Sequence, residues 1–168
     1  MSSQHQSGVG LEHPYSHQIM IGSAIFFFLV WILDTFLFQV FVDIRNLVPF
    51  VLRIFLFIIT GILSFPLMNT SQKKIFSPSK DSTGLVSDGI YAVVRHPLYL
   101  SILVLYLAFV FLSFSLVSSI PVFITFFFFN LMVKFEEEEL VKILGNEYVK
   151  YMSNVPRWIP RPKSLWNK

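Results

Sequence analysis

The stretch LYLSILVLYLAFVFLSFSLVSSIPVFITFFFFNLMV, residues 98–133, decides the fold. It is apolar throughout except for a cluster of Ser113, Ser115, Ser118, Ser119 and Pro121 near its middle. A helix rises about 1.5 Å per residue and a bilayer core is about 30 Å thick, so the run is too long for one span. Serines and a proline at its centre predict a helical hairpin, Leu98 to about Leu112 and about Leu116 to Val133. Pro121 suits the first turn of the second helix, where its missing N–H costs nothing.

Working outward, two more apolar runs precede the hairpin. Ile19–Val42 is apolar except for Asp34 and Gln39, and Leu47–Met68 carries Arg53 near its start and Pro49 and Pro66 near its ends. Both are long enough to cross a bilayer, and the two prolines read as helix boundaries. Asp43-Ile44-Arg45-Asn46 between them reads as a short polar turn. The fold class is therefore an all-α integral membrane protein of about four transmembrane helices. Its 168 residues divide as a loose arm (1–18), two spans (19–68), a polar loop (69–97), a transmembrane hairpin (98–134) and a C-terminal block (135–168) made of an amphipathic helix and a Pro-rich tail.

Composition agrees. Hydrophobic residues make up 54% of the chain against 14% charged, and the mean hydropathy is +0.65, which points to lipid as solvent. No cysteine is present, which excludes disulfides, thiolate metal sites and thiol catalysis. His5, His13 and His17 are irregularly spaced with no carboxylate pair, so no metal site is expected. A net charge of +3 without a basic, aromatic-interleaved stripe argues against nucleic acid. Residues 1–18 lack Lys and Arg and no small-residue cleavage site follows, so no secretory signal peptide is expected. The loop carries Lys73, Lys74, Lys80 and Arg95, and the tail carries Lys134, Lys142, Lys150, Arg157, Arg161, Lys163 and Lys168. By the positive-inside rule both face the cytoplasm, as a multi-pass protein of four spans requires.

Two polar clusters flank the hairpin. Gly89-Ile90-Tyr91-Ala92-Val93-Val94-Arg95-His96-Pro97-Leu98-Tyr99 precedes it, and Glu136-Glu137-Glu138-Glu139 follows it. Polar chemistry at a membrane boundary is costly to keep without a use. Pro97 suits a helix start and biases His96 toward extended backbone. Arg95, Tyr91 and Tyr99 fit an interfacial anchor as well as they fit a site, and the residues alone leave that open. On a helix advancing about 100° per residue, with Glu136 at zero, Leu140, Leu144, Tyr148 and Tyr151 fall at about 40°, 80°, 120° and 60°. Glu137, at about 100°, lies within that stripe and Glu136 at its edge. Glu138 and Glu139 fall on the other side, with Lys142 placed to support Glu138. A solvated face accounts for Glu138 and Glu139 and accounts poorly for Glu137.

The segment Gly89-x-Tyr91-x-x-x-Arg95-His96-Pro97-x-Tyr99 resembles the Arg-His-Pro-x-Tyr signature of the isoprenylcysteine carboxyl methyltransferase superfamily, which includes phospholipid N-methyltransferases. Glu136-Glu137-x-x-Leu140, Gly145-x-x-Tyr148-x-x-Tyr151 and Val155-Pro156-Arg157 with Pro160 are similar to that family's C-terminal block in order and spacing. The resemblance covers Leu85 to Pro162, and residues 1–70 carry none of it. Ile90, Ser101 and Leu144 depart from the family pattern, and a histidine often found near Thr83 is missing. The resemblance implies a membrane methyltransferase that uses S-adenosyl-L-methionine without a Rossmann domain, and no Gly-x-Gly-x-x-Gly turn is present. It implies cofactor contacts at Tyr91, Val94, His96, Pro97, Tyr99, Glu137 and Tyr148, and catalytic roles for Glu137, Glu136, Arg95 and Arg157. Which of these meets the donor and which the acceptor stays open. The expected partners are membrane lipids and a lipophilic or prenylated small-molecule substrate. An isoprenylcysteine carboxylate is the first expectation for that substrate and an aminophospholipid the second. A sterol-type NADPH reductase and a non-enzymatic membrane protein are the competing classes. Asp34 and Asn130 read as intramembrane polar groups bonded to a neighbouring helix.

Overall fold

The computed structural model describes residues 15–75 and 85–160. Residues 1–14 of the expected arm, the middle of the loop and the last residues of the tail, with Lys80, Arg161, Pro162, Lys163 and Lys168, lie outside them, while residues 16–18 of that arm are the start of the first helix. Helix α1 (Ser16–Ile32) is continued by a π-helical turn, Leu33–Phe38. Then come α2 (Val42–Leu47), α3 (Phe50–Ile75), a 3-10 turn (Gly89–Ala92), α4 (Pro97–Ser113), α5 (Ser119–Leu144) and α6 (Asn146–Asn154). No strand occurs among the described residues. Among the described residues, three helical stretches are long and apolar enough to cross a membrane: Ser16–Phe38, Phe50–Ser71 and Ser119–Leu144. The fourth apolar helix, α4, has 17 residues. That is about 25 Å of helix, short of the full core thickness.

Helix α4 is the centre of the bundle. It packs along α3 and also touches α1 and α5. Tyr99, Leu103, Tyr106 and Val110 of α4 join Phe27 of α1 and Val122, Phe129, Met132 and Val133 of α5 in one buried cluster. The Phe27 and Tyr106 rings stack at 4.2 Å. Between α3 and α4, Ser64 donates to the carbonyl of Ser101 at 2.8 Å, and both serines are buried. The outer faces are apolar and exposed, as at Val51, Ile62, Phe123 and Phe127, which is the arrangement a hydrocarbon solvent favours.

Four boundaries differ from expectation. Pro66 lies inside α3, which continues to Ile75. Proline is tolerated inside membrane-spanning helices, so Pro66 does not end this one. The polar loop accordingly starts later than residue 69. The first span stops at Phe38 rather than Val42, because Asp34 gathers the chain end. Its carbonyl accepts from Gln39 N–H at 2.8 Å and its Oδ1 from Val40 N–H at 3.2 Å, while Gln39 turns left-handed at φ 48°. The Asp43–Asn46 turn is part of a short helix, α2. Finally, the C-terminal block is not one separate helix, since α5 runs unbroken to Leu144 and α6 follows Gly145.

The hairpin turn falls where the serines predict it. Phe114 takes a left-handed φ of 49°, and Ser115 Oγ donates to Asp34 Oδ2 at 2.5 Å. Asp34 therefore bonds a neighbouring turn, tying the ends of α1 and α4 together. Replacing Asp34 by Ala strands the Val40 amide and takes one partner from the Ser115 hydroxyl, which keeps Ser118. The expected cost is about 1–3 kcal/mol of stability, with binding at the opposite end of the bundle unchanged. Denaturant unfolding of the detergent-solubilised variant measures the first, and ligand calorimetry the second.

Candidate active site

The two polar clusters meet at the end of the bundle away from Asp34. Gly89, at φ 59°, opens the 3-10 turn, and the chain then runs without helix through Arg95 and His96, the latter at φ −122° and ψ 65°, into α4. Pro97 is the first residue of α4, and the His96 carbonyl accepts from Leu100 N–H at 3.2 Å. Opposite, α5 carries Glu136 and Glu137 inward, both buried, while Glu138 is exposed. Lys142 pairs with Glu139 at 2.5 Å, not with Glu138 as the spacing suggested. Gly145, at φ 57° and ψ −133°, breaks the helix in a conformation that L side chains avoid. That break folds α6 back so that Tyr148, Tyr151 and Val155 pack with Leu85, Leu140, Val141 and Leu144.

Glu137 is the hub. It accepts from Arg95 Nε at 2.8 Å, from His96 Nε2 at 3.1 Å, and from Nη2 and Nε of Arg157. A carboxylate only accepts, so the neutral His96 tautomer facing it carries its proton on Nε2. Burial holds the His96 pKa below its usual 6.5, and Arg95 and Arg157 act in the same direction against the pull of Glu137. His96 is accordingly neutral at pH 7, with the Nδ1 lone pair 3.7 Å from Glu136 Oε2. Glu136 has a different setting. Its Oε1 accepts the Tyr99 hydroxyl at 2.5 Å. One carboxylate is thus matched to two guanidinium groups and the other to a phenol.

Arg95 also acts as a bracket. Its Nη1 donates to the carbonyls of Met152 at 2.7 Å and Val155 at 2.8 Å, and its backbone N–H to Pro156 O at 3.0 Å. These bonds fix the strand-like tail onto the segment before α4. The Tyr151 hydroxyl adds another tie, donating to the Tyr91 carbonyl at 2.6 Å. Burial pushes the phenols of Tyr148 and Tyr151 well above the usual tyrosine range, so both stay protonated. Tyr148 is 2% exposed. It lies close enough to Glu137, Arg95, Glu136 and Arg157 to feel all four charges.

The structure therefore brings Glu136, Glu137, Arg95, Arg157, His96, Tyr99 and Tyr148 into one site. Val94 and Pro97 are buried beside it as packing, and Tyr91 contributes its carbonyl. Arg95 spends its side-chain donors on Glu137 and on the tail. Arg157, with a side chain 30% exposed, is the more accessible guanidinium. Two residues join that the sequence reading assigned elsewhere or passed over. Asn130 Oδ1 accepts from Arg157 Nη1 at 3.3 Å and from Trp158 Nε1 at 3.2 Å. Its partners are thus in the tail, not on a neighbouring helix. Its place seven residues before Glu137, nearly the same helical phase, was the available signal; Trp158 had none.

Comparison with known proteins bears on the family and the fold. A family model described as phospholipid methyltransferase matches residues 47–147, more than half of the chain. The match reaches back through α3, which the resemblance read from sequence left out. Protein-S-isoprenylcysteine O-methyltransferase of Schizosaccharomyces pombe is 38% identical over 77 residues, 45% of this chain and 33% of that protein. A solved structure of the eukaryotic intramembrane Ras methyltransferase, isoprenylcysteine carboxyl methyltransferase, shares the fold. Its TM-score is 0.57 at 21% identity, covering 88% of this chain and 54% of that one. This chain thus spans a third of the curated relative and about half of the solved one. On the family match and the shared fold together, the chain belongs to the phospholipid methyltransferase family, in the superfamily of membrane methyltransferases that also holds the isoprenylcysteine carboxyl methyltransferases.

Proposed function

We propose that this protein transfers the methyl group of S-adenosyl-L-methionine to the carboxylate of an isoprenylcysteine-like acceptor at the cytoplasmic face of a membrane. The observation that carries the reading is Glu137, buried and held by Arg95, His96 and Arg157 at the end of an apolar helix. A carboxylate neutralised by two guanidinium groups is a poor base. An acceptor carboxylate needs no base, whereas an ammonium must first lose a proton. The named activity of the Schizosaccharomyces pombe relative supports the same choice. The Lys and Arg distribution supports the cytoplasmic orientation.

The residues fit the donor. Its ammonium and ribose hydroxyls need acceptors and its carboxylate needs donors. Glu136 and Glu137 supply the first, and the Tyr148 hydroxyl supplies a donor. When bound, the donor supplies an electrophilic methyl carbon on a positively charged sulfur. His96, neutral, keeps a second positive charge away from that sulfur while holding Glu137. Arg157 is placed to take the acceptor carboxylate, for which a planar guanidinium is well matched. In-line displacement is governed by alignment, so a rigid bracket such as Arg95 matters more than proton transfer.

Calorimetry in detergent tests the reading. S-adenosylhomocysteine should bind saturably, and His96→Ala should weaken it about tenfold while the helix content holds. NADPH should not bind. Binding of NADPH alone would move the protein to the reductase class.

A further inference from the structure

Along α5, at about 100° per residue, Phe126, Asn130, Val133 and Glu137 fall on one narrow stripe. Asn130 lies two turns, about 10 Å, from Glu137 toward the middle of the span. An amide at that depth is costly unless it is bonded. Its oxygen takes Arg157 and the indole N–H of Trp158. The Trp158 ring stands 6.4 Å from His96 on one side and 5.4 Å from Phe126 on the other. Phe126 is 41% exposed on the lipid-facing surface, next to Phe123 and Phe127, which are more exposed still. The indole thus joins the polar cluster to the apolar exterior. With its N–H engaged, it offers only hydrocarbon surface. The polar groups a charged donor needs lie past His96, at Glu136, Glu137 and Tyr148.

We propose that Trp158 forms the wall along which the acceptor's hydrocarbon chain lies, and that Asn130 is the positioning residue that holds it there. The pair then selects for acceptors with a long apolar chain. This assignment rests on the methyltransferase reading above.

The test uses the full chain in detergent micelles and two acceptors with the same head group, N-acetyl-S-farnesylcysteine and its S-hexyl analogue. Trp158→Ala and Asn130→Ala should each raise KM for the farnesylated acceptor about tenfold. For Trp158→Ala the KM for the hexyl analogue and the S-adenosylhomocysteine affinity should stay within about twofold, whereas Asn130→Ala, which also loses a bond to Arg157, should raise KM for the farnesylated acceptor more than for the hexyl one. Asn130→Asp, which keeps an acceptor for the indole, should restore most of the loss. Trp158→Phe, a milder change, should fall between wild type and Trp158→Ala. The emission difference between wild type and Trp158→Phe isolates the Trp158 signal. That signal should shift to the red in Asn130→Ala, a readout that needs no turnover. Wild-type KM for both acceptors in the variants would overturn the proposal. So would an equal rise for both acceptors, or a matching loss of S-adenosylhomocysteine affinity. A wild type that binds no donor and methylates neither acceptor would overturn the methyltransferase reading itself, before any variant is compared.

Discussion

Glu137→Gln is expected to lose methyl transfer by about a hundredfold or more. The carboxylate accepts from Arg95, His96 and Arg157 at once. A hydrogen bond to a charged group is worth about 1.5–3 kcal/mol, or ten- to a hundredfold, and here several are lost together. The glutamine amide also directs N–H groups at guanidinium donors that have no acceptor to offer. Glu136→Gln keeps an oxygen for the Tyr99 hydroxyl and should lose less. Glu138→Gln, on the exposed side of the same helix, should stay within about twofold of wild type. Initial rates with a radiolabelled methyl donor measure all three. Equal rates across the series would reduce the inward carboxylates to structural supports.

Arg95→Met carries the second large effect, and it is a structural one. The side chain bonds Glu137 and the carbonyls of Met152 and Val155, so its loss frees the tail at several points together. Removing one partner of a buried ion pair costs about 3–5 kcal/mol. Hydrogen exchange should rise across Asn146–Asn154 and the residues after it, while α1 and α3 keep their protection. Arg95→Lys should not rescue, because an ammonium is too compact to bridge acceptors spread around a planar fork. Unchanged exchange in α6 would show that Tyr151 and its apolar neighbours hold the tail without Arg95.

The sequence was most readable where local chemistry decides structure. Length and apolarity located the spans, the serine cluster located the hairpin turn, and Pro97 marked the start of α4 after a non-helical His96, although His96 is not fully extended. Helical phase separated Glu136 and Glu137 from Glu138, because α5 continues unbroken through them. What stayed hidden depends on contacts between distant segments. Pro66 reads as a stop only in an isolated helix. The early end of the first span depends on Asp34 meeting Ser115, 81 residues away. The bracket role of Arg95 requires the tail to return to it, and nothing local announces that return. Asn130 looked like an ordinary intramembrane amide until Arg157 and Trp158 were placed beside it.

The most direct test of the account is the chemical form of the transferred methyl group. Purified protein is incubated with labelled S-adenosyl-L-methionine, a farnesylated cysteine and an aminophospholipid together, and the products are treated with base. A methyl ester releases labelled methanol under base, and an N-methyl amine does not. The account predicts base-labile label on the farnesylated cysteine. Base-stable label on the aminophospholipid, with none released, would contradict it.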